Sequence, residues 1–421
     1  MAISSIIIVG AGPAGLLLGA LLARAGIPSI KILERDPQPS GDTRAVFYQP
    51  IALHEFKRAC IMQAVDNAAF RPRKAVFRNM SGEALFEMPG TSMIALTSDK
   101  LASIVQEEFQ THANADIKWS HEVTALGEDE AKRTAWVDVQ TPHGTQRLTA
   151  DYVVGCDGGS STIRKLLFGP NSMAGFTWEK QLMAANVCVS KAIATVGSVL
   201  TQGVQIKYDF PSMPDIADSN LYMDPERSWL LLRTGKEEHH WRVVYAADPN
   251  TTYDNLVAEC PNTMQELLPG HPKREEYEIS SIQPYKIHQR IVENMRKGRF
   301  ILASDAAHLC CPYGAMGLNG GIADVGSLSD CLQAFHEGKT DDSIFDVYST
   351  VRRDKWKTII DPQSQGMLRF LFSQPANVIP NHPVYKFSQA MAANPDAAQK
   401  LAPNPLALAY DFTPHFKTGH N

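Results

Sequence analysis

The chain has 421 residues, which suggests roughly two or three domains around a large core. Hydrophobic residues make up 44% and charged residues 20%, as in an ordinary globular protein, and the net charge of −5 gives no general attraction for nucleic acid or an anionic membrane. Seven cysteines (Cys60, Cys156, Cys188, Cys260, Cys310, Cys311, Cys331) lack paired spacing, which points to reduced thiols in a cytoplasmic protein.

The apolar run from Ile6 to Val9 is β-branched and uninterrupted, as in a parallel strand buried on both faces. It leads into GAGPAG (Gly10, Ala11, Gly12, Pro13, Ala14, Gly15), a second apolar stretch, and Ile32, Leu33, Glu34, Arg35. The pattern is strand, tight turn, helix, strand. Gly10 permits the turn, Gly12 lets the backbone approach a pyrophosphate, and Gly15 lets the helix pack on the strand. Free N–H groups at the helix start then hold phosphate charge. Glu34 lies nineteen residues after Gly15, where a carboxylate accepts hydrogen bonds from a ribose diol. The motif predicts a dinucleotide without separating FAD from NAD. The run has no basic leader and too many glycines for a signal peptide or membrane anchor, and no other stretch is apolar enough to span a bilayer.

Pro37 to Asp42 reads as a surface loop, followed by Arg44, whose guanidinium suits a diphosphate. Residues 51–69 read as one helical segment, and 76–89 as a hairpin turning at Ser81-Gly82-Glu83. Residues 97–109 form a helix, and 119–148 alternate as a β-meander. Tyr152 to Gly155 returns to the buried pattern. It enters Cys156, Asp157, Gly158, Gly159, a second ligand-facing turn before a Ser-capped helix. From Phe176 to Gln283 short strands dominate, clearest at Trp229 to Arg233 and Trp241 to Tyr245, as in an inserted β-rich substrate domain. Arg299 to Ala303 is a third buried strand, entering Ser304 and Asp305. Gly314, Gly317, Gly320 and Gly321 then precede a helix carrying Ile322, Val325 and Leu328. Residues 348–372 are helical, and the proline-broken tail wraps the surface.

Three turns far apart in sequence thus each follow a buried strand, which suits a large, permanently held ligand better than NAD. The chain resembles the single-component FAD-dependent aromatic hydroxylases, the group that includes para-hydroxybenzoate and phenol hydroxylases. GAGPAG with Glu34 matches their ADP-binding motif, DYVVGCDGGSSTIR (Asp151 to Arg164) their D-G motif, and RFILASDAAHLCCPYGAMGLNGGIAD (Arg299 to Asp324) their G-D motif and flavin loop. The resemblance implies an α/β fold: a Rossmann-like, glutathione-reductase-type FAD domain (1–175 with 284–365), an inserted β-rich substrate domain (176–283) and a C-terminal helical tail (366–421).

It also implies roles. Gly10, Gly12, Pro13, Ala14, Gly15, Glu34, Arg35, Arg44 and Val123 would hold the ADP side. Asp157 and Gly158 would support flavin and NAD(P)H docking. Asp305, in a turn with Ser304 among the cofactor residues, would bind ribityl or ribose hydroxyls, and the backbone from Gly314 through Gly317 and Leu318 to Asn319, on the flavin loop with Pro312, would meet the isoalloxazine ring. Phe47, Tyr48, Gln49, Arg233, Pro312 and Tyr313 are the candidates facing an aromatic substrate, with Tyr208 and Trp241 as further members; His308 reads as structural. No metal site is expected. Two departures stand out: Ser304 where the family usually has Gly, and Ser98 where it often has Arg or Gln. The implied reaction is reduction of FAD by NADH or NADPH, addition of O₂ to the reduced ring, and transfer of the distal oxygen of the flavin 4a-hydroperoxide to an electron-rich carbon. Epoxidation, Baeyer–Villiger insertion, reduction, or a non-redox prenyl-protein escort are the alternatives on the same fold. A homodimer is compatible with the sequence.

Overall fold

A computed structural model describes residues 2–41, 46–90, 92–188, 215–236, 240–248, 250–396 and 404–417. The chain begins with β1 (Ile6–Val9), α1 (Pro13–Arg24), β2 (Ile30–Leu33), β3 (Phe47–Tyr48), α2 (Pro50–Arg58) and α3 (Met62–Ala68). It continues through β4 (Lys74–Arg78), β5 (Ala84–Pro89), β6 (Ile94–Ala95), α4 (Ser98–Gln110), β7 (Ala115–Lys118), β8 (Glu122–Asp129), β9 (Thr134–Thr141), β10 (Gly144–Ala150) and β11 (Tyr152–Gly155). Next come α5 (Thr162–Phe168), β12 (Met173–Cys188), β13 (Ser219–Tyr222), β14 (Trp229–Arg233), β15 (Trp241–Ala247), α6 (Tyr253–Leu267) and β16 (Glu278–Val292). The last third holds β17 (Arg296–Lys297), β18 (Phe300–Leu302), β19 (His308–Leu309), α7 (Met316–His336), α8 (Ile344–Lys355), α9 (Asp361–Leu371), α10 (Pro375–Val378) and α11 (Pro383–Ala393).

The first sheet has the order β17-β18-β11-β1-β2-β7, parallel except at the edge strand β17. All four residues of β1 are buried, as its unbroken β-branched run requires. Helix α1 packs against α4 and α7. An added Cβ on Gly19 would come 2.9 Å from Ile32 and 3.0 Å from Phe109, so this glycine sets how closely the helix approaches.

The second large sheet has the order β19-β16-β12-β15-β14-β13-β4-β5 and is antiparallel apart from the β13–β4 pair. Its two faces bury different cores. Met183, Leu231, Trp241, Val243 and Tyr245 pack with α6, whereas Leu182, Ala184, Leu230, Val244 and Ile287 pack with Tyr313 and α9.

Three features depart from the sequence reading. The hairpin β4–β5 turns where expected, but it completes the second sheet rather than the nucleotide-binding segment; β12 and β16 also run through residues 176 and 283. The helix expected over 51–69 breaks into α2 and α3 because Cys60 takes a left-handed backbone (φ 59) and Ile61 N–H folds back to the Phe56 carbonyl at 3.0 Å. Helix α7 starts at Met316, so Gly317, Gly320 and Gly321 lie inside it instead of before it. Gly320 and Gly321 are needed for close packing: added Cβ atoms would come 2.6 Å from Ile360 at position 320 and 2.1 Å from Ser304 Oγ at 321.

The same closeness buries a carboxylate between α2 and α7. Glu55 is 4% exposed, and a Cβ on Gly326 would sit 2.4 Å from its carboxyl carbon. Arg58 donates to Glu55 at 2.8 Å and pairs with Asp330, while His54 lies 3.9 Å away. Burial outweighs Arg58 and pushes the Glu55 carboxyl up to about 7. The folded state then binds more protons than the unfolded one, so this group costs stability as pH rises through that window. Glu55→Gln should be more stable than wild type at pH 8, by on the order of 1–3 kcal/mol. In urea unfolding the difference should shrink steadily toward pH 5; a difference independent of pH would refute this account.

Candidate active site

Strands β18, β11 and β1 are neighbours in one sheet, so the turns at their carboxyl ends meet along one edge. Gly10 N–H donates to the Leu33 carbonyl at 2.8 Å, Cys156 N–H to Val9 at 2.8 Å, and Ala303 N–H to Gly155 at 3.0 Å. The glycines of the first turn divide by purpose. A Cβ on Gly10 would come 2.4 Å from the Cys156 carbonyl oxygen, and one on Gly15 would come 2.0 Å from that of Gly10. On Gly12 it would touch nothing within 4 Å. Internal packing therefore demands Gly10 and Gly15, while Gly12 leaves room for something outside the protein, as close approach of a pyrophosphate requires.

The starts of α1, α5 and α7 differ in their electrostatics. Helix α1 begins at Pro13 with no side-chain cap and no acid in its first turn. Helix α7 is likewise uncapped, with Ala315 in a left-handed conformation (φ 55) as its N-cap. Both leave N–H groups and a positive dipole end for an anion or an electron-rich ring edge. Helix α5 is closed. Ser161 Oγ accepts from Arg164 N–H at 3.0 Å and donates to Asp157 at 2.5 Å, while Asp157 accepts from the N–H groups of Thr162 (2.7 Å) and Ile163 (3.1 Å). The Asp157 carboxylate, expected to face the ligand, is thus committed to capping α5. What the turn offers is the backbone of Gly158 (φ 77), where an added Cβ meets nothing.

Glu34 accepts from Ala11 N–H at 2.8 Å and Asp36 N–H at 3.1 Å, which ties the end of β2 to the glycine turn. The exposed Arg35 lies 3.9 Å from Asp36. Arg44 and Tyr208 lie outside the described residues. Val123 sits at a bulge of β8 with its side chain buried in the core, which leaves its main chain for any contact. Ser304 and Asp305 form a single 3₁₀ turn after β18, followed by His308, which bonds Asp324 at 2.6 Å.

The loop before α7 is tied to β3. Asn319 accepts from Gln49 N–H at 2.8 Å and donates to the carbonyls of Phe47 (3.0 Å) and Ala315 (2.6 Å), and Gln49 Nε2 donates to Gly314 at 3.0 Å. Pro312 closes the turn by accepting from Ala315 N–H at 3.2 Å. The side chain of Asn319 is therefore a clamp between strand and loop. Leu318, the next residue inward along α7, packs against the main core, and Gly317 lies open apart from Cys310 Sγ, 3.8 Å from its would-be Cβ.

Two buried tyrosines flank the clamp: Tyr313 packs on the inner face of the second sheet, and Tyr48 lies in the main core against Phe56. Both are buried (0% and 2% exposed), and among the described residues neither hydroxyl has a hydrogen-bond partner. Burial pushes both phenols well above their usual range. Tyr48 lies within electrostatic reach of Asp99, at the start of α4, and of Arg242. One carboxylate oxygen of Asp99 is also buried without a partner. Arg242 is opposite Leu232 in register, next to Val244 on the apolar inner face, and is 4% exposed. Burial draws its pKa down to about 10, so it stays protonated at neutral pH, with Tyr285 and Asp99 nearby.

Arg233 and Trp241, the sequence candidates from these strands, face the other way. They pair with each other in register; Trp241 belongs to the core under α6, and Arg233 bonds Asp218 at 3.2 Å and the carbonyls of Gly235 and Lys236. The residue missed was Arg242. Its signal was the alternation of Trp241, Val243 and Tyr245 against Arg242 and Val244, which assigns two faces but does not say which one meets the ligand.

The FAD binding domain family matches residues 4–362 of the chain. Para-nitrophenol 4-monooxygenase of Pseudomonas sp. (strain WBC-3) is 28% identical over 394 residues, covering 91% of both chains. The 6-hydroxy-3-succinoylpyridine 3-monooxygenase of Pseudomonas putida (strain DSM 28022 / S16) is 28% identical over 88% of this chain and 89% of its own. The crystal structure of p-nitrophenol 4-monooxygenase from Pseudomonas putida DLL-E4 superposes with a TM-score of 0.81 at 26% identity, covering 95% of this chain and 97% of that one. The chain belongs to the FAD-binding-domain family. Within it the protein is an FAD-dependent monooxygenase of the aromatic-hydroxylase class.

The division among the glycines has a direct consequence. Gly12→Ala should leave apoprotein thermal unfolding near wild type yet weaken FAD binding in a fluorescence titration by about tenfold or more, since a β-carbon enters the pyrophosphate approach. Gly15→Ala should lower the unfolding temperature itself, because its clash lies within the protein.

Proposed function

We propose that the protein uses NADH or NADPH and O₂ to hydroxylate a phenol or a hydroxylated heteroaromatic ring, bound between the loop before α7 and the inner face of the second sheet. The observation carrying this reading is the pair of buried, unpartnered hydroxyls of Tyr48 and Tyr313, with the guanidinium of Arg242 within electrostatic reach of Tyr48 and Tyr285 near both Tyr313 and Arg242. Buried polar atoms are rarely left without partners, so such groups mark where a ligand's polar atoms belong. The two relatives named above act, by their names, on aromatic rings bearing a hydroxyl group.

In this reading Gly12 and the start of α1 hold the pyrophosphate, Glu34 the adenosine ribose, Asp305 the flavin-side hydroxyls, and the start of α7 the electron-rich edge of the ring. When bound, FAD supplies the two-electron chemistry with NAD(P)H and O₂. The chain's own groups do the rest. Tyr48 and Tyr313 donate hydrogen bonds to substrate oxygen, and Arg242 offsets negative charge on a phenolate, the form with the most electron-rich ring carbons. The apolar neighbours Leu182, Ala184, Val244 and Ile287 exclude water. Cys60, Cys156, Cys260, Cys310, Cys311 and Cys331 are free thiols, which suits a cytoplasmic protein. Among the described residues no helix is long and apolar enough to cross a membrane.

Incubation with a panel of phenols, NAD(P)H and isotopically labelled O₂ should place one labelled oxygen atom on the ring of the turned-over compound. Arg242→Met should raise KM for that phenol by about 10- to 100-fold, the value of a charge-assisted hydrogen bond, and Arg242→Lys by less. Tyr48→Phe should have a smaller effect. Equal KM values in all three variants would remove the substrate from this pocket.

A further inference from the structure

Ser304 stands in a left-handed backbone conformation (φ 59), which favours glycine, in the turn that carries Asp305. Its N–H donates to Asp324 Oδ2 at 2.9 Å, in the third turn of α7. His308 Nε2 reaches the same oxygen at 2.6 Å, and Arg352 Nε donates to Oδ1 at 2.7 Å. Asp324, His308 and Arg352 are all at most 1% exposed. Although burial opposes ionisation, His308 and Arg352 outweigh it and hold the Asp324 carboxyl below the usual range. Gly321, one turn earlier on α7, lets the helix press against Ser304. Arg352 continues outward: its Nη1 donates to the Leu408 carbonyl at 2.5 Å, and Lys355 donates to Ala407 at 2.7 Å.

We propose that Asp324 is a positioning residue for the cofactor: by accepting the Ser304 N–H it locks a non-glycine residue into the left-handed turn that presents Asp305, and Arg352 fastens this lock to the C-terminal segment at Leu408. The proposal rests on the reading that the Asp305 turn holds part of FAD. The three partners satisfy a carboxylate that would be costly to bury alone, and its position on α7 couples the turn to the same helix whose start faces the ring. A purely structural ion pair would have no reason to engage the one N–H whose residue carries the strained φ.

The test is a double-mutant cycle on FAD affinity, read by quenching of flavin fluorescence as apoprotein is titrated, beside thermal unfolding of the apoproteins. Asp324→Asn should raise the FAD dissociation constant by about tenfold or more, and the same change in an S304G background should cost several-fold less, because glycine holds the turn without the clamp. Ser304→Gly alone supplies the remaining corner of the cycle. If Asp324→Asn does not fold, Arg352→Lys replaces it, with the same rescue by S304G expected. Losses that are equal in both backgrounds, or that follow apoprotein stability alone, overturn the proposal; so does normal FAD binding by Asp324→Asn. Wild-type apoprotein that takes up no FAD would instead defeat the reading on which the proposal rests.

Discussion

The site depends on one close approach of backbone to backbone. At the start of α1 the chain passes so near the Gly10 carbonyl that a β-carbon on Gly15 would sit 2.0 Å from its oxygen, while Gly10 itself presses on the turn after β11. Only glycines allow this, and the result fixes the direction of the α1 dipole relative to β1, β11 and β18. The start of α7 is also uncapped and is held by the Asn319 clamp to β3. Two helix starts are therefore left open, each with a positive end suited to phosphate or to accumulating negative charge, which is where the proposed reading puts the cofactor. The helix start between them, α5, is neutralised by its own Asp157 and Ser161. The field is directed by which helices are capped.

Local chemistry made much of this legible in advance. The β-branched run at Ile6 to Val9, the spacing from Gly15 to Glu34, and the strands entering Asp157 and Asp305 are short-range patterns whose meaning does not change with tertiary context. The hairpin at residues 76–89 was equally plain, because the Asn79–Glu83 turn needs only its own residues. Its allegiance was not. Pairing of β4 with β13 joins residues more than a hundred positions apart, and nothing in either strand announces the partner.

The side chains around the site were harder to read for a related reason. Asp157 follows a buried strand, and a carboxylate there serves equally a ligand or the next helix; the N–H groups of Thr162 and Ile163 decide it. Arg233 and Arg242 lie on paired strands within a few residues of a shared turn, yet alternation sends them to opposite faces. A strand's pattern reveals that it has two faces, and only the packing of α6 against one of them identifies the other as the inner wall. The glycines of α7 misled for the opposite reason. They look like a loop, but Gly320 and Gly321 each remove a β-carbon where Ile360 or Ser304 must come close.

Placement of Arg242 on that inner wall carries an energetic argument. A guanidinium among Leu232, Val244 and the buried tyrosines gives up most of its hydration, and that loss draws its pKa down to about 10. A charge buried this way is costly for folding unless a partner offsets it. The same low-dielectric surroundings strengthen its attraction for an anion that arrives later, because little water remains to screen the pair. Asp99 lies close enough to share the charge before that anion binds, and Tyr48, within electrostatic reach of both, has a hydroxyl with no hydrogen-bond partner among the described residues. On the proposed reading, the arrangement trades some folding stability for a wall that would distinguish an ionised ring hydroxyl from an apolar ring of the same size, a discrimination that shape alone would not provide.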